Sequence, residues 1–226
     1  MIAVDGPAGS GKSSAARGVA RALGLRYLDT GAMYRALTWW LLSRGLDTTD
    51  PGTVARRARE PVIKVGTDPD APAITVDGVD VSGPIRTREV SNAVSAVASV
   101  PQVREHLIAM QREIIARNTG TGGGIVAEGR DIGTVVVPQA PVKVFLTASD
   151  NERARRRQRD EADAARDVGF ADVKAALERR DESDRRRQTS PLRAADDAVV
   201  VDTTGADVDK VAADIVARFR AAEACR

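Results

Sequence analysis

The sequence predicts an α/β protein: a central parallel sheet flanked by helices, an insert carrying a small β piece, and a charged helical region after it. Three observations predict it. Short apolar runs such as IAVD, GIVAEG and VKVFLTA alternate with segments whose apolar residues recur at helical spacing, the pattern of βαβ units. Between about residues 62 and 83 a piece rich in strand formers interrupts that alternation. After Ser149 a long stretch carries mostly charges on two helical patterns.

The elements follow in order. MIAVD is a short apolar run ending at glycines and reads as a buried strand. Ala16, Val19, Ala20 and Leu23 recur at helical spacing, and Gly24 closes that helix. RYLD reads as a second strand ending at Asp29, followed by an amphipathic helix with Met33, Leu37, Trp40 and Leu41 on one side. VIKV and ITVDGVDV form the strand-rich insert, with Asp77-Gly78 as its hairpin turn. Two helices are expected over about 86–99 and 101–117, divided by Pro101 and ended by NTGTGGG. GIVAEG and VKVFLTA return to buried strands, and the charged region then runs to about residue 190 with a break near Gly169. DAVVVDTT is the last strand, and Val208, Val211, Ile215 and Phe219 mark a closing helix. The expected division is a core of about 1–30, 119–149 and 190–226, a region of about 31–118 that holds the insert at 62–83, and an arginine-rich region of about 150–189.

Composition narrows the function classes. The 226 residues, 42% hydrophobic and 29% charged, suit a globular chain with a sizeable core. Aromatics are only 3%, so that core is built from Val, Ile, Leu and Ala. The 34 basic and 32 acidic residues leave a net charge of +2, which gives no global pull toward nucleic acid or anionic lipid. The single cysteine, Cys225, has no internal disulfide partner, which suits a reducing compartment. No apolar run is long enough to cross a bilayer, and MIAVDGPAG lacks the basic and apolar regions of a signal peptide. A cytoplasmic monomer is expected, with no nucleic acid and no membrane among its partners. The one histidine, His106, has no partner pattern for metal binding or acid–base work.

Positions 5–14 read DGPAGSGKSS, in which Gly6, Gly11, Lys12 and Ser13 fill G-x-x-x-x-G-K-[ST]. Gly6, Pro7, Ala8, Gly9, Ser10, Gly11, Lys12, Ser13 and Ser14 are the candidate nucleotide-binding residues. Glycines let the backbone turn tightly and bring N–H groups against phosphate oxygens. The following helix aims its positive end at the same anion. Lys12 is placed to bridge the β- and γ-phosphates, and Ser13 to bind Mg²⁺ through its hydroxyl. The plain alternative is a glycine-rich turn without nucleotide. Such a site also needs an acid at a neighbouring strand end, and Glu128 in GIVAEG supplies one; Asp5 and Asp29 also end strands. A strand-end acid is more often a helix cap or a solvated charge, and for Glu128 that reading stands beside the metal one. No base-reading N-K-x-D motif is present, and the chain is short for a helicase or transporter motor.

Three further stretches suggest a second anionic substrate. LDTGAMYRA places Arg35 in the first turns of a helix at the sheet's C-terminal edge, where ligands bind in open α/β sheets. EGRDIGT sets Arg130 and Asp131 side by side after another strand, and ERRDESDRRRQTSPL carries Arg180, Asp184 and Arg187. Together with DGPAGSGKSS and VSGPIRTREVSNAVSAVASVPQVRE, and in this order, they resemble the bacterial cytidylate kinases over nearly the whole chain.

That resemblance implies a P-loop kinase fold and transfer of phosphate from ATP, with Mg²⁺, to CMP or dCMP. It implies Arg35 and Arg130 as clamps on the CMP phosphate, and Ser95, Arg104 and Asp131 as readers of the cytosine ring. Arg180 and Asp184 match residues that hold the ribose, and Arg187 matches a charge-stabilising arginine near the transferred phosphoryl. Arg153 and Arg157 match lid arginines on the ATP side, Thr30 and Tyr34 fall in the substrate-binding stretch, and 62–83 matches a β insert in the CMP domain. Thr30 stands where related enzymes often have serine, Glu128 where aspartate is common, and Ser183 where some relatives have arginine.

The chemistry supports these roles on its own terms. Phosphoryl transfer is mostly positioning and charge stabilisation, and arginine's planar fork takes two phosphate oxygens at once. Cytosine offers an amine donor with N3 and O2 acceptors; an acid beside an arginine or hydroxyl complements that edge, whereas uracil would leave the acid unpaired. The plain readings are a solvated face for ARRRQRDEADAARD, a plain helix serine at Ser95, salt bridges for Asp181 and Glu182, and packing for Trp39 and Trp40. Two other functions compete: a P-loop kinase of another small acceptor, and an RNA-binding protein using the arginines of 153–187 with the loop as a nucleotide switch. Interleaved acids and the lack of stacking aromatics weigh against RNA.

Overall fold

The structure, a computed structural model, describes residues 1–120, 123–163 and 169–224. Cys225 and part of the 150–168 lid stretch lie outside the described residues. Strand β1 (Ile2–Asp5) leads through the glycine loop into α1 (Lys12–Leu23), which ends where Gly24, at φ 64, donates its N–H to Ala20 and Arg21 carbonyls. Strand β2 (Arg26–Asp29) runs straight into α2 (Thr30–Ser43), because the Asp29 carboxylate accepts from Ala32 N and caps the helix. A seven-residue helix that the sequence reading left out, α3 (Pro51–Arg57), follows, capped by Asp50 with proline at its first position. The insert contains β3 (Ile63–Val65), β4 (Ile74–Val76) and β5 (Val79–Asp80). Asp77 (φ 52) and Gly78 (φ 84) make the β4–β5 turn with both central residues left-handed, as a tight hairpin requires.

After a single 3₁₀ turn at Pro84–Arg86 come α4 (Arg88–Ser99), capped by Thr87, and α5 (Pro101–Thr119). Strand β6 (Ile125–Gly129) gives way to a π-helical turn over Ile132–Val136, then β7 (Val142–Thr147). The charged region forms α6 (Asp150–Asp163) and α7 (Phe170–Arg186), and the chain closes with β8 (Val199–Asp202) and α8 (Val208–Ala224).

The main sheet is wholly parallel, in the order β2-β6-β1-β7-β8, and β3-β4-β5 form a separate antiparallel sheet. Strand alternation divides the core in two. Ile2, Val4, Val126, Val144 and Leu146 face α1 and α8, where they meet Ala16, Val19, Ile215 and Phe219. Ala3, Leu28, Ile125 and Ala127 face the other way, against Met33, Leu37, Leu107 and Ile132. The insert belongs to that second core: Ile63, Ile74 and Val76 are buried with Trp40 and Leu41 of α2. Burying each such Val, Leu or Ile contributes about 1.5–3 kcal/mol, so the insert is anchored to α2 rather than hung from it.

Register then positions the site. Asp5 pairs with Gly129, and Asp29 pairs with Glu128. Three strand-end acids therefore meet at one edge of the sheet. Because β2 and β6 lie on one side of the central β1 while β7 and β8 lie on the other, that edge is a topological switch point, where a crevice opens.

Candidate active site

The loop between β1 and α1 is shaped by close backbone approach. Gly6 has φ 147, and a Cβ there would come within 2.0 Å of the Leu146 carbonyl oxygen, so only glycine fits. Gly11, at φ 81, occupies the cap position of α1 and makes no side-chain bond to the first turn, which leaves the leading N–H groups of α1 for an anion. Lys12 is buried, with Nζ donating to the Pro7 carbonyl at 2.6 Å and lying 3.4 Å from Ser10 Oγ. Burial, reinforced by the Arg130 charge and opposed by Glu128, lowers its ammonium pKa to about 7.

Ser13 Oγ donates to Glu128 Oε2 at 3.0 Å, and the Tyr27 hydroxyl donates to the other carboxylate oxygen. Burial, then the nearby Asp29 charge, raises the Glu128 carboxyl, and the two hydroxyl donors partly offset this. Alternation places Tyr27 and Asp29 on the Glu128 face of the sheet. The residues suit a magnesium ion held beside a nucleotide: such an ion takes one or two protein oxygens, the rest coming from phosphate and water. Ser13 and Glu128 offer that pair. Among the described residues no group of three or more His, Cys, Asp or Glu side chains could hold a metal by itself.

A cavity of about 1090 Å³ opens from this edge, more than one drug-sized ligand needs. Ala8, Gly9 and Gly11 to Ser14 line one end, with Glu128 and Thr30 beside them. Tyr34, Arg35, Ser95, Arg104, Arg130 and Asp131 line the other, and Arg157, Arg180, Asp184 and Arg187 reach in from α6 and α7. Gly6, Pro7 and Ser10 shape the loop without lining the cavity. Thr30 Oγ1 donates to the Glu128 carbonyl at 2.6 Å, tying α2 to β6.

The acceptor end is dense with positive charge. Arg35 reaches Ser91 Oγ at 2.9 Å and the Ile85 carbonyl at 3.4 Å; burial, then Arg180 and Arg157, push its guanidinium well below the usual range. Burial and Arg130 bring Arg180 to about 10, and its Nε is buried without a hydrogen-bond partner. Asp184 sits among these cations, 3.1 Å from Arg130 Nε and 3.2 Å from Arg187 Nη2. Burial alone would raise the Asp184 carboxyl; Arg130, Arg187 and Arg180 together hold it below its ordinary value. Arg104 and Asp131 form a buried ion pair, with Arg104 also 5.4 Å over the Tyr34 ring.

One expected site residue takes a different position. Arg153 does not line the cavity. It is 3% exposed and lies beneath the loop, ion-paired to Asp181 and Asp150 and donating to the Ala8 carbonyl at 3.0 Å. Asp181 in turn accepts from Ala8 N at 3.2 Å, so the pair grips the loop apex from both its carbonyl and its amide. A buried pair of this kind turns a mobile cation into a structural strap. The cavity instead takes Arg156, whose Nη1 donates to Thr203 Oγ1 at 2.9 Å, together with Arg157. Sequence reasoning passed over Tyr27 as a site-building residue, since a tyrosine in a short strand carries no signal, and it marked Asp5 only as a strand-end acid, not as a partner of the Ile132 and Gly133 amides.

Comparisons with known proteins bear on the family and the fold. The family model described as cytidylate kinase matches residues 2–221. A cytidylate kinase of Streptomyces griseus is 54% identical over 211 residues, covering 93% of this chain and 88% of that protein. The cytidylate kinase of Nocardia farcinica is 49% identical over 211 residues, covering 93% and 89%. Among solved structures, a gluconokinase from Sinorhizobium meliloti 1021 superposes with a TM-score of 0.52 at 18% identity over 100% of this chain and 94% of that one, a likeness of fold alone.

Proposed function

The chain belongs to the cytidylate kinase family, and from that premise we propose that it transfers the γ-phosphoryl group of ATP to CMP or dCMP, giving CDP or dCDP and ADP. The single observation that carries the reading is one cavity with a phosphate loop at one end and converging arginines at the other. The loop and the first turn of α1 hold the triphosphate, and Lys12 spans the gap between donor and acceptor. Arg35 and Arg130 fix the acceptor phosphate, and Arg180 and Asp184 the ribose. Arg104 and Asp131, with Ser95, face the cytosine edge: Asp131 accepts from the exocyclic amine while Arg104 donates to the ring acceptors. Arg187 and Lys12 stabilise charge on the phosphoryl in flight. The acceptor phosphate is already an anion at neutral pH, so no general base is needed. Ser13 and Glu128 would hold the magnesium ion, which when bound neutralises phosphate charge.

In the same reading α6 and α7 form the closing side of the site, the chain divides into core, CMP-binding and lid regions, and the enzyme is a monomer of the cytoplasm. Among the described residues no helix is long and apolar enough to cross a membrane.

The test is ADP release measured with CMP, dCMP, UMP, AMP, GMP and shikimate in turn. CMP and dCMP should dominate. Equal turnover across the acceptors would overturn the assignment.

A further inference from the structure

The π-helical turn over Ile132–Val136 starts from Asp131, the acid read above as the partner of the cytosine amine. An aspartate at that position ordinarily caps its own helix, its side-chain oxygen accepting from the leading N–H groups. Asp131 makes no such bond; its carboxylate is turned to Arg104. The cap comes from another strand. Asp5 Oδ1 accepts from Ile132 N at 2.9 Å, and Oδ2 accepts from Gly133 N at 2.8 Å.

Asp5 is the last residue of β1, buried, and paired in register with Gly129, two positions before Asp131. Its next neighbour is Gly6 of the phosphate loop. The same carboxylate therefore ends the donor strand and fixes the acceptor turn.

We propose that Asp5 is a positioning residue for base recognition: by capping the Ile132–Val136 turn in place of Asp131, it leaves the Asp131 carboxylate available to the cytosine amine. Two buried N–H groups cannot stay unpaired without cost. If Asp5 cannot accept from both, the nearest replacement is Asp131 itself, turned back onto its own helix and away from Arg104. Base selectivity then falls, because an acid withdrawn from the cavity no longer rewards the amine or penalises its absence. The inference rests on the reading of Asp131 given above.

The test compares kcat/KM for CMP with kcat/KM for UMP in wild type, Asp5→Asn, Asp131→Ala and the double variant. Both rates are read on one preparation, so their ratio does not depend on how much enzyme is folded. Asparagine keeps the size of Asp5 but offers one acceptor oxygen, leaving its amide against an N–H. Asp5→Asn should lower the CMP/UMP ratio by about tenfold or more, as expected for loss of one charged hydrogen bond. Asp131→Ala should lower it as far, and the double variant no further. Asp5→Ser, which is too short to bridge both N–H groups, should behave as Asp5→Asn does. A wild-type ratio in Asp5→Asn beside a collapsed ratio in Asp131→Ala overturns the positioning role and leaves the reading of Asp131 standing. Additive losses in the double variant also overturn it. An unchanged ratio in Asp131→Ala overturns the reading of Asp131 and this inference with it.

Discussion

The two ends of the cavity are built on opposite electrostatic terms. At the donor end each charge already has a partner. Lys12 rests on the Pro7 carbonyl, Glu128 accepts from two hydroxyls, and Arg153 is sealed to Asp181 beneath the loop. Anion affinity there comes from the oriented N–H groups of the loop and of α1, which stand ready at no electrostatic cost when the site is empty. At the acceptor end, Arg35 and Arg180 are half-buried and repel one another, and Asp184 is the acid that faces Arg130 and Arg187. That end holds an excess of positive charge which a phosphate monoester relieves. The donor end is preorganised by geometry, the acceptor end by repulsion.

The comparison can be broken most sharply at Arg153. Replacing it with methionine leaves Asp181 buried without its cation, and unfolding free energy in urea should fall by about 3–5 kcal/mol. Adding Asp181→Leu should restore much of that loss, since an apolar pair of similar volume is often as stable as a buried ion pair. A loss below about 1 kcal/mol would show that the donor end is not strapped this way.

At Arg180 the expected signs diverge. Arg180→Met should weaken CMP binding about tenfold, as loss of a charged hydrogen bond does. It should also raise the melting temperature of the empty protein by about 2–4 °C, because a repelling, half-buried charge is gone. A lower melting temperature would mean that the cluster is not strained when empty.

The smallest effect is a proton. With its pKa lowered to about 7, Lys12 is largely neutral above pH 7 in the empty protein. Triphosphate favours the ammonium and raises that pKa, so ATP binding takes up as much as one proton between about pH 7 and 9 and weakens as pH rises. Calorimetry in buffers of different ionisation enthalpy measures the uptake directly. Heats that do not vary with the buffer would contradict it.

Much of the fold was legible because local pattern and long-range packing agree. Apolar runs ending at Asp5, Asp29 and Gly129 became parallel strands, and Asp77-Gly78 became a left-handed turn. Helix α3 was missed although Asp50-Pro51 is a cap followed by a first-turn proline; seven residues carry too little apolar periodicity to register. In the site, Arg35 and Arg130 could be singled out because each follows a strand at the sheet edge, whereas Arg180 and Arg187, on and just after α7, were marked only by the motif they share with the family. Arg153 could not be placed: a cation on a helix looks the same whether it meets phosphate or carboxylate, and its partner Asp181 lies 28 positions away on another helix. The roles of Tyr27 and Asp5 were hidden for a related reason. Their partners, Glu128 and the amides of Ile132 and Gly133, become neighbours only through a register that pairs β1 and β2 with β6, more than 90 residues downstream.

That strand order also has a consequence for synthesis. β1 and β2 are made first but never pair with each other; both wait for β6, and β1 also waits for β7. Until about residue 129 has left the ribosome, the strand that carries the phosphate loop has no neighbour, and until about residue 147 it lacks one on its other side. Such non-local pairing slows folding and leaves strand edges exposed meanwhile. A nascent chain arrested after α5 can shelter its helices and small hairpin, but it has no nucleotide cradle, so ATP cannot assist the early half of folding and can stabilise only the nearly finished molecule.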